Sequence, residues 1–158
     1  MHKTCFILIS VILMMSCARK ALDPNIVIIM ADDLGYGDIS CYGNTHIHTP
    51  NLDLMANEGI KFMDFHANGS VCSPTRASLL TGKYPQRTGV EGVITAKDHR
   101  QVGLPLAEIT IAEELEKYGY HCGILGKWHL GYSPEFNPVL QGFHEFVGFV
   151  SGNIDYHT

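Results

Sequence analysis

Asn25-Ile26-Val27-Ile28-Ile29-Met30-Ala31-Asp32-Asp33 is the stretch on which the fold turns. A continuous apolar run of strand length, β-branched at its start, fits a strand buried on both faces of a parallel sheet. It stops abruptly at two carboxylates. Working outward, Thr49-Pro50, the residues to Asn57 and Gly59 place a capping residue, a proline at the first helical position and a terminating glycine around a short helix. Ile60 to Phe65 alternates as a second strand would. Ser73-Pro74 opens another helix in the same way, with Ala77, Leu79 and Leu80 as its apolar positions and Gly82 as its stop. Thr110 and Glu113 form a capping box, Ile111, Leu115 and Tyr118 fall on one helical face, and Gly119 precedes the strand-like Tyr120 to Leu125. Strand and helix alternate, which predicts an α/β fold with a mostly parallel central sheet flanked by helices. No internal repeat, low-complexity tract or linker interrupts it.

The chain has 158 residues, 46% of them hydrophobic and 17% charged, enough for one packed domain and unlike disordered or collagen-like sequence. With a formal net charge of -5, nothing in the sequence resembles the basic stripe on which nucleic-acid binders depend, and no nucleic-acid partner is expected. Residues 1-17 read as a targeting leader. His2 and Lys3 make a weakly basic start, and Cys5 through Met15 are almost wholly apolar, yet the run is shorter than the ~20 residues of a membrane span. Met14-Met15-Ser16-Cys17 is similar to a bacterial lipoprotein cleavage box with Cys17 as the acylated residue; an ordinary signal peptide is the alternative. Either predicts an exported protein, periplasmic, anchored to the outer membrane or secreted, touching membrane only through such a lipid. Five cysteines (Cys5, Cys17, Cys41, Cys72, Cys122) make no disulfide framework, and no spacing among them suits structural zinc. Cys122 lies in an apolar run and is expected to be buried.

In open parallel sheets ligands gather beyond the carboxyl ends of the strands, and three polar clusters are predicted there. Asp32 and Asp33, leaving a buried strand together, would repel each other in low dielectric, so a divalent cation is a natural counter-charge. Their hard oxygens favour Ca2+ or Mg2+ over zinc or copper; a solvated turn is the rival reading. Asp38, beyond Gly35-Tyr36-Gly37, fits a turn. In Cys72-Ser73-Pro74-Thr75-Arg76 the proline presets a first helical turn whose backbone N–H groups favour negative charge at position 72, and Arg76 returns to the same face four residues on. A buried cysteine before a plain cap would look the same. Lys127 and His129 leave one face of an extended chain and Trp128 the other, pairing an anion-binding ammonium with an imidazole able to move a proton near neutrality. Singly, each is an ordinary surface residue.

These clusters resemble the sulfatases of the alkaline phosphatase superfamily from about Asn25 onward. Cys72 to Gly82 fits the signature C-x-P-x-R followed by T-G without departure; Pro24 to Gly35 is similar to the family's opening strand and metal pair, Gly126-Lys127-Trp128-His129-Leu130-Gly131 to its third block and Gln141-Gly142-Phe143-His144 to the segment beyond. The resemblance implies an alkaline phosphatase-like sandwich and a sulfuric ester hydrolase. It implies that Cys72 is oxidised to formylglycine by a formylglycine-generating or anaerobic maturase. One hydroxyl of the hydrated aldehyde then attacks sulfur and expels the alcohol, and the second re-forms the aldehyde to release sulfate. A serine has no second hydroxyl with which to do so.

Carried over residue by residue, Asp32, Asp33 and the group at Cys72 would ligate Ca2+, with Mg2+ the lesser choice. Arg76 would hold the formylglycine hydrate, Lys127 would bind a sulfate oxygen, and His129 would assist deprotonation. Ser151 lies where relatives place another sulfate contact. Gly148 to Tyr156 is similar to sulfatases acting on sulfated glycans, which points to polysaccharide or oligosaccharide substrates. The family is much longer and supplies further metal ligands, a second histidine and a second lysine from later sequence, so residues 25-158 are expected to be the N-terminal part of a catalytic domain and to lack turnover alone. Two alternatives remain at this point: a phosphate-ester or phosphonate hydrolase of the same superfamily, and a non-catalytic exported glycan-binding relative with Cys72 unmodified.

Overall fold

A computed structural model describes residues 23–155; the leader expected over residues 1-17 lies outside them. The chain divides into two compact units, Met1–Leu34 and Gly35–Thr158.

In the first unit, Ile26 to Met30 forms no strand, and Val27 and Ile29 are about 80% exposed (81% and 80%). This corrects the expectation of a buried strand. An apolar β-branched run records a demand for burial but not a ladder partner, and a segment without a ladder is not a strand. At its end Asp33 takes a left-handed backbone, φ 57°, a region that Asp tolerates better than most residues.

The second unit carries the regular structure. Helix α1 spans Pro50–Glu58, with Thr49 before it, proline in its first turn and Gly59 behind it, as the punctuation predicts. Ahead of it, Asp38 closes a tight turn over Tyr36–Asp38 by accepting from the Gly35 N–H at 2.7 Å. Residues 60–65 are irregular and largely exposed, so the second expected strand is also absent. Helix α2, Cys72–Thr81, starts two residues before Pro74, with Val71 as its N-cap and Gly82 closing it at φ 66°. One turn, α3 (Pro85–Thr88), follows.

Helix α4, Ile111–Glu116, is opened by the predicted box: Thr110 Oγ1 accepts from the Glu113 N–H at 3.2 Å, and Glu113 Oε2 accepts from the Thr110 N–H at 2.7 Å. Its helical bonds end before Tyr118, which is exposed, and Gly119 (φ 83°) turns the chain out. Strand β1 runs Gly123–Lys127, two or three residues later than Tyr120 to Leu125 suggested, and pairs in parallel with β2, Glu145–Phe149, in the register Gly123↔Glu145 to Lys127↔Phe149. Ile124 and Phe146 face the core, while Leu125 and Val147 on the other face are exposed. The architecture is α/β with a parallel sheet, of two strands among the described residues.

Trp128, immediately after β1, organises the core with Leu104, Leu130, Val90, Ala77 and Phe143. Its ring meets Phe143 edge-on at 6.1 Å, and its indole N–H donates to the Phe136 carbonyl at 2.8 Å, so the one polar atom of a fully buried side chain is satisfied. The core therefore sits directly beneath the end of β1 and anchors the residues on either side of Trp128.

Candidate active site

The end of β1 and the start of α2 meet in the second unit. Lys127, last residue of β1, directs Nζ to 3.3 Å from Cys72 Sγ, the first residue of α2. Arg76, one turn along α2, donates from Nη1 to the Lys127 carbonyl at 2.5 Å. Residues 51 and 55 positions apart in sequence are thus clamped twice, through backbone and side chain. Cys72 is half-buried at a helix N-terminus, where unsatisfied N–H groups and the helix dipole favour negative charge, and an ammonium group faces it. The arrangement stabilises an anion at position 72 or an oxyanion transferred to it.

His129 arrives differently from the alternation argument. Trp128 N and His129 N continue the parallel pairing by donating to Phe149 O (2.9 Å) and Val150 O (3.2 Å), but His129 turns left-handed, φ 58°, and does not stay extended. Lys127 and His129 consequently do not share a face by simple strand periodicity. The imidazole is buried, 4% exposed, and its Nε2 lies 2.8 Å from the Ile94 carbonyl. A non-glycine residue held in that backbone region costs about 1–3 kcal/mol, and such strain concentrates at functional sites. Among the described residues Asp33 and His129 are the non-glycine residues with positive φ, and both were singled out by sequence for chemistry.

Ser151 is half-buried, and its hydroxyl donates to the Asn153 carbonyl at 2.6 Å. Its neighbour Gly152 lies against the histidine: a Cβ there would lie 2.4 Å from His129 Cε1 and 2.5 Å from Nε2. Sequence reading missed Gly152, Ile94 and Ser73. Ile94 acts through its backbone, which no side-chain pattern reports. Asp32 and Asp33 are exposed in the first unit. As donors they are two adjacent carboxylates without nitrogen or sulfur, which fits a hard cation such as Ca2+ or Mg2+. With two of the three expected strands absent, only the Lys127 cluster follows a strand's carboxyl end; position 72 is placed by a helix start.

The family model for Sulfatase matches residues 24–158. The chain belongs to the sulfatase family. It is 52% identical over 130 residues to human (Homo sapiens) arylsulfatase A, covering 81% of this chain and 25% of that one. Of solved structures, the crystal structure of Ps i-CgsB superposes with a TM-score of 0.81 at 39% identity, covering 85% of this chain and 30% of that one. The same protein in complex with k-i-k-neocarrahexaose gives 0.75 at 38% identity, over 79% and 28% of the two chains. These relatives share the alkaline phosphatase-like architecture, of which this sulfatase chain represents a part. It spans about a quarter of the length of the curated relatives it matches.

Proposed function

We propose that the full-length protein hydrolyses sulfate esters of polysaccharides or oligosaccharides, using a nucleophile made from Cys72 and a bound Ca2+. The observation that carries this reading is the Lys127 ammonium 3.3 Å from Cys72 Sγ, on a strand end whose carbonyl takes Arg76. The glycan class is supported by the solved relative bound to a neocarrahexaose.

Formylglycine at position 72 would supply, as its hydrate, a hydroxyl nucleophile with a second hydroxyl for release. Asp32 and Asp33 with an oxygen at position 72 would hold Ca2+, or less well Mg2+. Since Ca2+ takes 6–8 oxygens, the remaining ligands would come from other parts of the full-length chain. The cation would supply Lewis-acid charge at the sulfuryl group.

The chain's own residues do the rest. Lys127 binds a sulfate oxygen as a compact point charge, and Arg76, tied to the Lys127 carbonyl, fixes the distance between strand and helix. A carbonyl only accepts, so His129 Nε2 carries the hydrogen in its contact with Ile94, and the imidazole would assist deprotonation of the group at position 72. Ser151 would reach a sulfate oxygen only by giving up its bond to Asn153. Local positive charge answers an anionic ester although the chain is acidic as a whole.

Maturation requires a formylglycine-generating or anaerobic maturase. Export is part of the proposal, with Cys17 as the lipid attachment point; among the described residues no helix is long and apolar enough to cross a membrane.

Peptide mass spectrometry across Cys72 of full-length protein from its native host is expected to show aldehyde in place of thiol. Cys72→Ala is expected to reduce turnover of sulfated oligosaccharides to background. Undiminished turnover by Cys72→Ala, or preference for phosphate over sulfate esters at matched leaving groups, would overturn the reading.

A further inference from the structure

The His129 ring is held by residues that no motif marks. Ser73 is fully buried next to Cys72, and its Oγ accepts from the Ile94 N–H at 3.1 Å. The Ile94 carbonyl accepts from His129 Nε2 at 2.8 Å, and the N–H of that same peptide, on Thr95, donates to His99 Nδ1 at 3.2 Å. The peptide facing the imidazole is thereby pinned at both ends and through the preceding N–H. The ring also lies against Gly152, where any Cβ would fall within 2.5 Å of Cε1 and Nε2. Gly152 has no positive φ, so the space taken by the ring, and not backbone conformation, is what calls for glycine there.

We propose that Ser73 and Gly152 are positioning residues that fix the His129 imidazole against the Ile94 carbonyl as the Nε2–H tautomer. Ser73 acts by placing the Ile94 peptide, and Gly152 by leaving the ring room to reach it. An imidazole with an acceptor fixed at Nε2 is biased toward one tautomer, because the other would set a lone pair against the carbonyl lone pairs. The residue beside the nucleophile thus sets the orientation of the proton-transfer group, coupling the two halves of the site through a single peptide. This rests on the sulfatase reading for the part the imidazole plays in turnover, but not for the tautomer.

The test uses full-length protein labelled with 15N in its histidine rings, with the His129 signals assigned through His129→Gln. Wild type is expected to show Nε2 protonated and Nδ1 unprotonated in the neutral ring. Ser73→Ala and Gly152→Ala are expected to give mixed tautomers and to lower kcat roughly ten- to a hundredfold with KM little changed, as misplacement of a proton-transfer group does. Ser73→Thr keeps the hydroxyl and is expected to restore the single tautomer. Val90→Ala, a core truncation that removes no hydrogen bond of the Ser73, Ile94 and His129 chain, controls for stability: it is expected to lower Tm while leaving the ring signals unchanged. Should Ser73→Ala fail to fold, Gly152→Ala on its half-buried segment carries the test. Wild-type ring signals in folded Ser73→Ala or Gly152→Ala would overturn the inference. A fixed Nε2–H tautomer lost in the variants, in a protein without sulfate-ester turnover, would support the positioning and sink only the sulfatase reading.

Discussion

Lys127 ties the end of β1 to the start of α2. Its ammonium reaches Cys72 because β1 ends there and Trp128, next in sequence, is locked into the core. Removing it leaves an anion-stabilising position empty without disturbing that core. Lys127→Ala in the full-length protein is therefore expected to reduce kcat/KM about 10²–10³-fold, the scale of losing one preorganised oxyanion donor, with Tm nearly unchanged; steady-state kinetics beside a thermal melt checks both. Cys122 shows the opposite use of a thiol. Burial, with a smaller contribution from Glu116, raises its pKa above the ordinary 9.0, so it stays a neutral thiol near pH 7 and is a poor nucleophile. The folded value exceeds the unfolded one, so its contribution to stability is present below about pH 9 and is lost as pH climbs through the raised value. Urea unfolding at pH 7.5 and pH 10 is expected to show a larger loss for wild type than for Cys122→Ala.

At the scale of elements, helix starts were legible because their signals are local. A proline, a capping hydroxyl and a glycine act within four residues of one another, and α1 and α4 begin where they indicate. Thr110 does more than cap: its hydroxyl also donates to the Gln141 carbonyl at 2.7 Å, joining α4 to the segment before β2. Thr110→Ala is expected to destabilise by about 1–2 kcal/mol, at the upper end for a lost cap, and Thr110→Ser to recover most of it; chemical denaturation of each variant measures the difference. Strands were less legible. The expected strands at 26–30 and 60–65 did not form, while β1 and β2 did, because a ladder depends on which distant segment lies alongside, and apolar alternation carries no information about that.

For the whole molecule, the described structure is a part of an alkaline phosphatase-like fold about four times as long in its relatives. One face of the β1–β2 pair is bare, with Leu125 81% and Val147 67% exposed at register-paired positions, whereas parallel sheets are ordinarily covered on both faces. The proposed chemistry would be distributed likewise: Asp32 and Asp33 would supply a minority of the 6–8 oxygens that Ca2+ takes. Treating the full-length protein with a Ca2+-selective chelator is expected to abolish sulfate-ester turnover, with Ca2+ restoring it more fully than Mg2+. Turnover persisting after verified metal removal would contradict the cation's place in the mechanism.

The sequence by itself determined the family, through Cys72-Ser73-Pro74-Thr75-Arg76 and Gly126 to Gly131, and with it the residues that bear charge, because ionisable groups are written directly in the side chains. The starts of α1 and α4 came with them, being set by contacts a few residues long. Tertiary structure alone decided that Lys127 meets Cys72, that His129 bends left-handed toward the Ile94 carbonyl, and that Gly152 lies against its ring. Those are contacts between segments 35 to 55 residues apart or made through backbone atoms. Backbone atoms are the same at every position, so only the packed chain says which of them is used.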